Sequence, residues 1–293
     1  MPVEQAAVNT FALSSFPKYT LAMCEVLPKF NRSVSWLCWA YNEEESIREY
    51  LIRANELLKK TVEDYEIILV DDGSTDRTYA IAEDLKKKMP EIRLFRNASN
   101  RDVGFSSQRA IMSASKEFLF WQTADWAYDI RCLRVFLELL KSHDVVAGVR
   151  RGPGNNLFRP LRGGRSDTLP KAVVSVVNYL LIRFLFRVPL GDFQNVVFYP
   201  ASLIQSIVYE SDSSFANPEG LIKAFWKGAS IAEVPISFLP RQSGKSKGTR
   251  LKAVAASVRD IFRLWFKWVV LGRRSQCRKG IIHRLRVEEW EKL

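Results

Sequence analysis

Two adjacent carboxylates stand directly after an apolar, β-branched-rich segment of this sequence. Asp71 and Asp72 follow residues 65–70, and a glycine and a Ser/Thr/Asp cluster follow the pair. Neighbouring like charges repel each other unless a donor, a cation or solvent compensates them. We therefore expect the pair to serve a ligand site, with the alternative that one of the two only caps the next helix. For Asp76, capping is the better explanation.

The same arrangement, an apolar segment that ends in polar side chains, occurs twice more. Residues 34–40 lead into the sequence YNEEE, and residues 118–121 lead into QTAD, which ends at Asp125. Asn42 is an N-cap candidate with Glu45 three residues later, so YNEEE has a structural explanation as the start of a helix. That explanation gives no role to the ring of Tyr41, which would stack on a planar base at the same strand end.

Apolar runs without polar alternation are typical of strands covered on both faces, and such strands form the parallel sheets of α/β proteins. The sequence predicts strands at 34–40, 65–70, 91–95, 117–122, 144–148, 196–199 and 230–238, and helices at 43–60, 76–89, 104–115, 129–141, 171–187, 200–209, 217–227 and 251–271. This alternation predicts an α/β fold with a mainly parallel sheet. Open α/β folds bind ligands at the carboxyl ends of their strands, so the three polar strand ends are expected to meet at one site.

Several common kinds of site are poorly supported by the motifs and residue types. There is no G-x-G-x-x-G after the first strand and no G-x-x-x-x-G-K-[ST], so the dinucleotide fingerprint and the P-loop do not explain the fold. The four cysteines have no paired spacing, and the two histidines, His143 and His283, stand apart from the acidic motifs. A disulfide framework, a zinc site and a histidine-dependent triad are therefore disfavoured.

Positive charge is concentrated in two loops and in the C-terminal part of the chain. The net charge is +12, and residues 250–293 alone contain twelve Lys/Arg against four Asp/Glu. Residues 150–170 (RRGPGNNLFRPLRGGRSDTLP) and 241–247 (RQSGKSK) are basic and contain glycine, which is typical of mobile loops. Each is either a solvated connector or a flap that grips phosphate, because guanidinium and ammonium groups bind phosphate oxygens.

Residues 251–271 have an amphipathic pattern. A basic stripe contains Lys252, Arg259, Asp260, Arg263 and Lys267, and the apolar face contains Val258, Ile261, Phe262, Trp265, Trp268 and Val269. The pattern is typical of a helix in a membrane interface and equally of a helix packed on its own domain; the basic residues at 273–279 favour an anionic membrane surface. The sequence has no signal-peptide pattern and no apolar window of about 18 residues, so we expect a cytoplasmic protein, peripheral to the inner face of a membrane.

With these residues laid out, the sequence resembles the family 2 nucleotide-sugar glycosyltransferases of the GT-A fold, and among them the polyprenyl-phosphate sugar synthases of the dolichyl-phosphate mannose synthase type. The resemblance is carried by YNEE at 41–44, VDDGSTD at 70–76, GVR at 148–150, DFQN at 192–195, EVP at 233–235, and Arg241 with GKSK at 244–247. It implies a GT-A domain at 33–250 between an N-terminal extension, 1–32, and a basic amphipathic C-terminal segment, 251–293.

The resemblance also implies which residues bind the donor, a UDP- or GDP-linked sugar. The implied nucleotide-binding residues are Trp39, Tyr41, Glu43, Asp71, Asp72, Ala124 and Arg150. Asp125, as the second acid of the family's D-x-D, would reach the donor diphosphate through Mg²⁺ or Mn²⁺. Arg241 and Lys247 would neutralise the donor diphosphate or the acceptor phosphate.

The sequence departs from the family pattern at the D-x-D itself. Thr123 stands where the family has its first Asp, and Ala127 stands where the synthases often have a metal-binding Gln. Because a hard cation prefers several oxygen ligands, one carboxylate with waters and diphosphate oxygens would hold it weakly. Arg and Lys side chains would then supply part of the compensating charge.

The reaction that the resemblance implies is an inverting single displacement onto a polyprenyl phosphate, which is already anionic and needs no general base. If the acceptor is instead a saccharide hydroxyl, Asp192 is the candidate base. A catalytically silent nucleotide-sugar-binding protein is a further alternative, which the broken D-x-D permits. Nucleic acid is not expected as a partner, because no nucleic-acid-binding module is recognisable and the positive charge accompanies an apolar face.

Overall fold

A computed structural model of the protein describes residues 28–150, 169–236, 251–272 and 280–284, without the side chains at 150, 169–173 and 251–253. The strands are β1 (Val34–Ala40), β2 (Tyr65–Asp71), β3 (Ile92–Arg96), β4 (Phe118–Trp121), β5 (Val145–Arg150), β6 (Val197–Pro200), β7 (Ser230–Ile236) and β8 (Ile281–Arg284). The helices are α1 (Ile47–Thr61), α2 (Thr78–Lys86), α3 (Asp102–Ser113), α4 (Leu133–Leu139), α5 (Leu169–Phe186), α6 (Ala201–Gln205), α7 (Ala216–Trp226) and α8 (Leu251–Trp265), the last continued by a π-helical turn, Phe266–Val270. Every predicted strand and helix is present, with ends that differ by a few residues.

In the described part of the chain, the strands form an eight-stranded sheet in the order β3-β2-β1-β4-β6-β5-β7-β8. Neighbouring strands are parallel except around β6, which is antiparallel to both β4 and β5. The predicted α/β fold with a mainly parallel sheet is confirmed. Because β6 is reversed, the loop before it lies at the same edge of the sheet as the carboxyl ends of β1, β2 and β4.

Both faces of the sheet are buried, and β1 shows how its sequence satisfies this. Trp36 and Cys38 belong to the apolar layer that α1 and α4 cover. Leu37 and Trp39, which point to the other face, belong to the layer that α3, α5, α7 and α8 cover. Successive side chains of a strand point to opposite faces, so a nearly continuous apolar run is required where each face packs against helices.

Helix α8 and its π-helical turn pack on the domain through one side. Trp268 is buried, and its ring lies beside the rings of Phe186, Phe215 and Trp226. The sequence pattern places Trp268 on the same face as Phe262, and this prediction is wrong, because Phe262 is 46% exposed. Residues six apart lie about 120° apart around an α-helix, so the two rings face different surroundings.

Part of the predicted basic stripe on this helix is used inside the protein. Lys267 forms an ion pair with Glu210, and Arg263 lies 3.2 Å from the buried carboxylate of Asp260. Burial opposes ionisation of Asp260, but hydrogen bonds from serine hydroxyls, Ser211 first, and two guanidinium charges outweigh it and lower its pKa. Burial is likewise outweighed at Glu210, chiefly by the Lys267 hydrogen bond, and its pKa is lowered too. Both carboxylates therefore stabilise the packed helix at neutral pH, and this contribution is lost as the pH falls through their lowered pKa values.

The sequence pattern does not predict β8, which is four residues long and follows a basic stretch. It pairs in parallel with β7 at the edge of the sheet. Arg284 of β8 donates hydrogen bonds to the buried carboxylate of Glu233, at 3.1 Å, and to the carbonyl oxygen of Pro189, at 2.9 Å. The part of the chain after residue 250 thus contributes both a helix and a strand to the structure.

Candidate active site

The loops that follow β1 and β2 are bonded to each other at the carboxyl edge of the sheet. The amide nitrogen of Asn42 donates to Ser74 Oγ at 3.0 Å, and its side-chain oxygen accepts from the amide nitrogen of Thr75 at 2.9 Å. The amide nitrogen of Glu43 donates to Thr78 Oγ1 at 2.8 Å. The two loops, 41–46 and 73–78, therefore form one wall, which we call the paired loops.

The position of Asn42 in the sequence suggests that it caps helix α1, but it does not. The helix begins at Ile47, and Asn42 lies before it with a φ of 51°, in the left-handed region that Asn tolerates better than most residues. Its side chain bonds to the other loop instead of to the helix. Asp76 lies one residue before the N-cap position, Arg77, and its Oδ1 accepts a hydrogen bond of 2.9 Å from the amide nitrogen of Thr78, the first residue of α2.

Asp71 and Asp72 are both buried and have partners within the protein. Asp71 Oδ2 lies 3.2 Å from Arg96 Nε, and the side chain is 0% exposed. Asp72 Oδ1 accepts hydrogen bonds from Asn97 Nδ2 at 2.7 Å and from the amide nitrogen of Arg101 at 2.9 Å. The predicted repulsion between the two carboxylates is thus compensated by donors from β3 and the loop after it. These bonds fix the positions of the loops after β2 and β3.

A cleft of about 750 Å³ lies between residues 73–76 of the paired loops and the end of β3. It is lined by Gly73, Ser74, Thr75, Asp76, Arg96, Asn97 and Ala98. Clefts of several hundred Å³ are the usual size of small-molecule sites. The guanidinium group of Arg96, which lies over the ring of Tyr79 at 4.6 Å, gives this cleft a cation that is half exposed. The cleft therefore has a polar lining, in which the Arg96 guanidinium is already paired with Asp71 and Asp76 adds a carboxylate.

The third polar strand end is the loop 123–128 after β4, which we call the Asp125 loop. Thr123, Ala124 and Asp125 are all half-buried. Thr123 Oγ1 accepts a hydrogen bond of 3.2 Å from the amide nitrogen of Ala127, so this hydroxyl stabilises the turn. Asp125 is the carboxylate of this loop.

The donor set around Asp125 does not make a protein cage for a metal ion. Within the described ranges, no group of three or more His, Cys, Asp or Glu side chains is arranged to hold one. Thr123 supplies a neutral hydroxyl where a second carboxylate would stand, and that hydroxyl already accepts a bond from the backbone. Mg²⁺ and Mn²⁺ prefer several anionic or neutral oxygen ligands, so these residues alone do not fit either ion.

Asp192 lies in the loop before β6, at the same edge of the sheet as the Asp125 loop. Its Oδ1 accepts hydrogen bonds from the amide nitrogens of Phe193 and Gln194, at 2.8 and 3.1 Å, and its Oδ2 lies 3.4 Å from Asn195 Nδ2. Asp192 is 5% exposed. The carboxylate therefore shapes its own loop, and a role as a base would require this loop to open.

The other predicted site residues lie in different surroundings. Tyr41 and Glu43 are half-buried in the paired loops, and Trp39 is half-buried at the end of β1, with its ring beside that of Trp121, 6.3 Å between centroids. Arg150 ends β5, but its side chain is outside the described set, as are Arg241 and Lys247 altogether. The structure therefore brings together the loops with Tyr41, Asp72 and Asp125, and Trp39 lies at the end of β1, packed against the apolar layer on the side of β1 opposite α1.

An α/β sheet of this order, with polar loops at the carboxyl ends of β1, β2 and β4 and a reversed strand beside β4, is the architecture of a GT-A glycosyltransferase. The sequence profile of glycosyl transferase family 2 matches residues 35–200. The match covers more than half of the chain, and the protein belongs to this family.

Curated relatives include enzymes that act on lipid phosphates. A dolichol-phosphate mannosyltransferase of Pyrococcus furiosus is 26% identical over 243 residues, 80% of this chain and 64% of the relative. The glycosyltransferase AglD of Haloferax volcanii is 26% identical over 247 residues, 82% of this chain and 38% of the relative. An undecaprenyl-phosphate mannosyltransferase of Micrococcus luteus is 24% identical over 215 residues, 71% of this chain and 84% of the relative. The chain spans less than two thirds of the length of the first two.

Solved structures share the fold at lower identity. S. aureus TarS in complex with UDP-GlcNAc has a TM-score of 0.53 at 17% identity, over 80% of this chain and 65% of that one. The mannosyltransferase PcManGT from Pyrobaculum calidifontis, in complex with GDP-Man and Mn²⁺, has a TM-score of 0.52 at 14% identity, over 88% of this chain and 75% of that one. At these identities the likeness establishes the GT-A fold.

Proposed function

We propose that this glycosyltransferase moves a sugar from a UDP- or GDP-linked donor to a polyprenyl phosphate. The observation that carries the proposal is the cleft beside Asp72, between residues 73–76 and the end of β3, at the same edge of the sheet as the strand ends that bear Tyr41 and Asp125. Its size suits a nucleoside. The names of the relatives from Pyrococcus furiosus and Micrococcus luteus support a lipid phosphate as acceptor.

The chemistry of this acceptor needs little from the protein. An oxygen of the acceptor phosphate attacks the anomeric carbon from the face opposite to the leaving group, and the bond from that carbon to the diphosphate oxygen breaks. The configuration inverts, and the nucleoside diphosphate leaves with the bonding electron pair. No proton has to be removed, so alignment and neutralisation of the diphosphate supply the catalysis. We assign alignment to Asp125 and neutralisation to Arg150, Arg241 and Lys247.

The alternative acceptor is a saccharide hydroxyl, which must lose a proton. Asp192 would then be the base, but each of its carboxylate oxygens is near a donor of its own loop. The phosphate acceptor needs no such base, and this favours it. A protein that binds nucleotide sugars without turnover is the other alternative, because Thr123 removes one acid from the D-x-D position.

A divalent cation at the donor diphosphate would have Asp125 as its carboxylate from the Asp125 loop. We expect Thr123→Asp to lower the Mg²⁺ or Mn²⁺ concentration for half-maximal activity about tenfold, since a second anionic ligand adds about 1.4 kcal/mol or more. Asp125→Ala should cost more activity than Thr123→Ala. Thr123→Ser keeps the hydroxyl and serves as the matched control. Steady-state rates over a metal titration measure the effect, and full activity of the native protein in excess chelator would contradict it.

Exposed apolar side chains on α5 and α8 support a membrane surface as partner. Within the described ranges no helix has the length and apolar character to cross a bilayer. Instead Val177 and Phe184 of α5 are 49% and 73% exposed, and Phe262, Phe266 and Val270 are 46%, 52% and 50% exposed. We call these five residues the apolar stripe. The exposed Arg259 lies on α8 one turn before Phe262, so α8 presents the combination of apolar and basic side chains that interfacial helices use.

We expect the protein to sediment with anionic vesicles at low salt and to be released by added salt. Each basic residue near the surface contributes about 1 kcal/mol, and the attraction fades within a Debye length. Replacing Arg273, Arg274, Arg278 and Lys279 by Gln should lower binding up to about a thousandfold. Phe262→Ser with Phe266→Ser should also reduce binding, because less apolar area is buried. Equal sedimentation of the native protein with neutral and anionic vesicles would show that charge does not guide docking.

One experiment separates the candidate functions. Purified protein is incubated with UDP- and GDP-linked hexoses, with and without an undecaprenyl phosphate in detergent, and released nucleotide and lipid-linked sugar are both measured. Lipid-linked product supports the proposal. Nucleotide release that requires an added saccharide supports the hydroxyl acceptor instead. Calorimetric binding of a nucleotide sugar without any turnover identifies a silent binding protein, and the absence of any nucleotide binding excludes all three.

A further inference from the structure

We propose that Gln122, the last residue before the Asp125 loop, is a positioning residue that holds this loop in its reactive conformation. The proposal rests on the proposed function for the catalytic meaning of Asp125. It rests on the geometry of residues 122–128 for everything else. The sequence pattern gives no sign of this role, since Gln122 reads only as the polar end of an apolar strand.

The side-chain amide of Gln122 joins the two ends of the Asp125 loop. Its Nε2 donates a hydrogen bond of 2.7 Å to the carbonyl oxygen of Tyr128. Its Oε1 accepts from the amide nitrogen of Thr123 at 3.1 Å and from that of Tyr128 at 3.4 Å. One side chain thus uses both its donor and its acceptor to close a six-residue loop. Gln122 is 2% exposed, so these bonds are sheltered from competing water.

The backbone of Gln122 is itself held by hydrogen bonds to β1 and to helix α1. Its amide nitrogen donates to the carbonyl oxygen of Leu37 in β1 at 3.2 Å. Its carbonyl oxygen accepts from the hydroxyl of Tyr50 at 2.8 Å, and that hydroxyl accepts from Trp36 Nε1 at 2.7 Å. Burial raises the pKa of Tyr50 well above its ordinary value, so the hydroxyl keeps the proton that it donates. The chain of bonds runs from the core layer to the loop without a break.

The loop contains a conformation that needs such support. Trp126 has a φ of 51°, in the left-handed region that is unfavourable for bulky residues. Its ring is held by Trp36, at 5.4 Å, by Tyr50, at 5.5 Å, and by the guanidinium group of Arg53, at 4.4 Å. Strained backbone persists only where its surroundings over-determine it. The Gln122 amide and the Trp126 ring restrain it here, together with the hydrogen bonds that the amide nitrogens of Trp126 and Ala127 donate to Thr123.

These restraints matter because the loop has Thr123 in place of a second acid. The loop has one carboxylate, Asp125. The effect of this carboxylate on the donor depends on where the loop places it. A displacement of about 1 Å can cost about a hundredfold in rate. By fixing the position of Asp125, Gln122 therefore compensates for the carboxylate that is missing at Thr123.

The test compares Gln122→Met with a matched control, Gln205→Met. Gln205 is a partly buried amide whose Nε2 bridges the carbonyl oxygens of Ile111 and Ala114, at 3.0 and 2.8 Å, away from the carboxyl edge. Both variants lose a bridging amide of similar size. Gln122→Met should lower kcat about a hundredfold with a smaller change in the KM of the donor, whereas Gln205→Met should leave kcat unchanged. Hydrogen exchange at residues 123–128 should rise in the first variant and not in the second.

Gln122→Glu gives an independent readout through pH. An ionised carboxylate cannot donate to the carbonyl oxygen of Tyr128, but a protonated one can. The kcat of this variant relative to the native protein should therefore recover as the pH is lowered. Cys38 and Tyr50, the buried titratable groups behind the loop, both have raised pKa values, Cys38 about 12, and stay protonated throughout. Glu43 and Asp125, the nearby carboxylates, are present in both proteins, so the variant is compared with the native protein at each pH.

Two results would overturn the proposal. The first is unchanged hydrogen exchange at residues 123–128 in Gln122→Met, which would show that the amide does not hold the loop. The second is an equal loss of kcat in Gln122→Met and Gln205→Met in proportion to their loss of thermal stability, which would make Gln122 an ordinary structural residue. If the native protein turns over no nucleotide sugar, the proposed function fails, and the exchange data still decide whether Gln122 fixes the loop.

Discussion

Replacing Gly73 with alanine is expected to lower the affinity for a nucleoside diphosphate sugar at least about a hundredfold. Gly73 has a φ of +71°, and a Cβ there would lie 2.5 Å from the carbonyl carbon of Ser99 and 2.8 Å from the amide nitrogen of Asn100. These are backbone atoms, so no side chain can rotate away to relieve the clash. The paired loops and the end of β3 must separate, and they are the two walls of the cleft. Overpacking of this kind costs about 1–3 kcal/mol, and the left-handed backbone adds about 1–2 kcal/mol.

Gly272→Ala is the matched control for this change. Gly272 has a φ of +72°, and a Cβ there would meet nothing within 4 Å. The control therefore carries the same backbone cost without the clash. Titration calorimetry with UDP- and GDP-linked sugars and urea unfolding are run on both variants. Normal donor affinity in Gly73→Ala would mean that the cleft is not the nucleotide site.

Trp268→Ala is expected to lower the free energy of unfolding by about 3–5 kcal/mol, the usual cost of removing a large buried aromatic side chain. The residue is 5% exposed, and its ring contacts the three aromatic rings that join α5, α7 and the loop before α7. Its Nε1 also donates a hydrogen bond of 2.8 Å to Glu210, and the ring lies 4.3 Å from Lys223 Nζ. Urea unfolding followed by fluorescence measures the loss.

Phe266→Ala, two residues earlier, separates stability from membrane binding. Phe266 is 52% exposed and belongs to the apolar stripe, so its removal should change the free energy of unfolding by about 0.5 kcal/mol or less. It should nevertheless weaken sedimentation with anionic vesicles. If Phe266→Ala destabilises the protein as much as Trp268→Ala does, the two sides of the helix are not distinct and the stripe is part of the core.

The fold could be predicted from the sequence because its main signals are local. The apolar runs of β1, β2 and β4 and the polar residues after them lie within short segments, and the alternation of strands and helices then requires that these ends meet at one edge. Strand β8 could not be predicted in this way, because its four residues, IIHR, follow a basic stretch and form no apolar run. The reversed direction of β6 could not be predicted either, since the direction of a strand depends on its neighbours rather than on its own side chains.

The candidate site could be predicted only in outline, because its side chains are partnered across long stretches of chain. Asp72 is bonded to Asn97 and Arg101, and these partners are invisible from the VDDGSTD segment. Asn42 bonds to Thr75 instead of capping the helix beside it. The role of Gln122 could not be predicted either, because it depends on a loop conformation that no local sequence pattern encodes.

The paired loops set a limit on how donor preference can be exchanged between relatives. Segments 41–46 and 73–78 satisfy one another's backbone groups, through Asn42 with Thr75 and Glu43 with Thr78 among others. A graft of either segment alone from another enzyme would leave donors and acceptors of the remaining one without partners. The two segments therefore form a single module for loop grafting, although residues 47–72, which include the whole of α1 and β2, separate them.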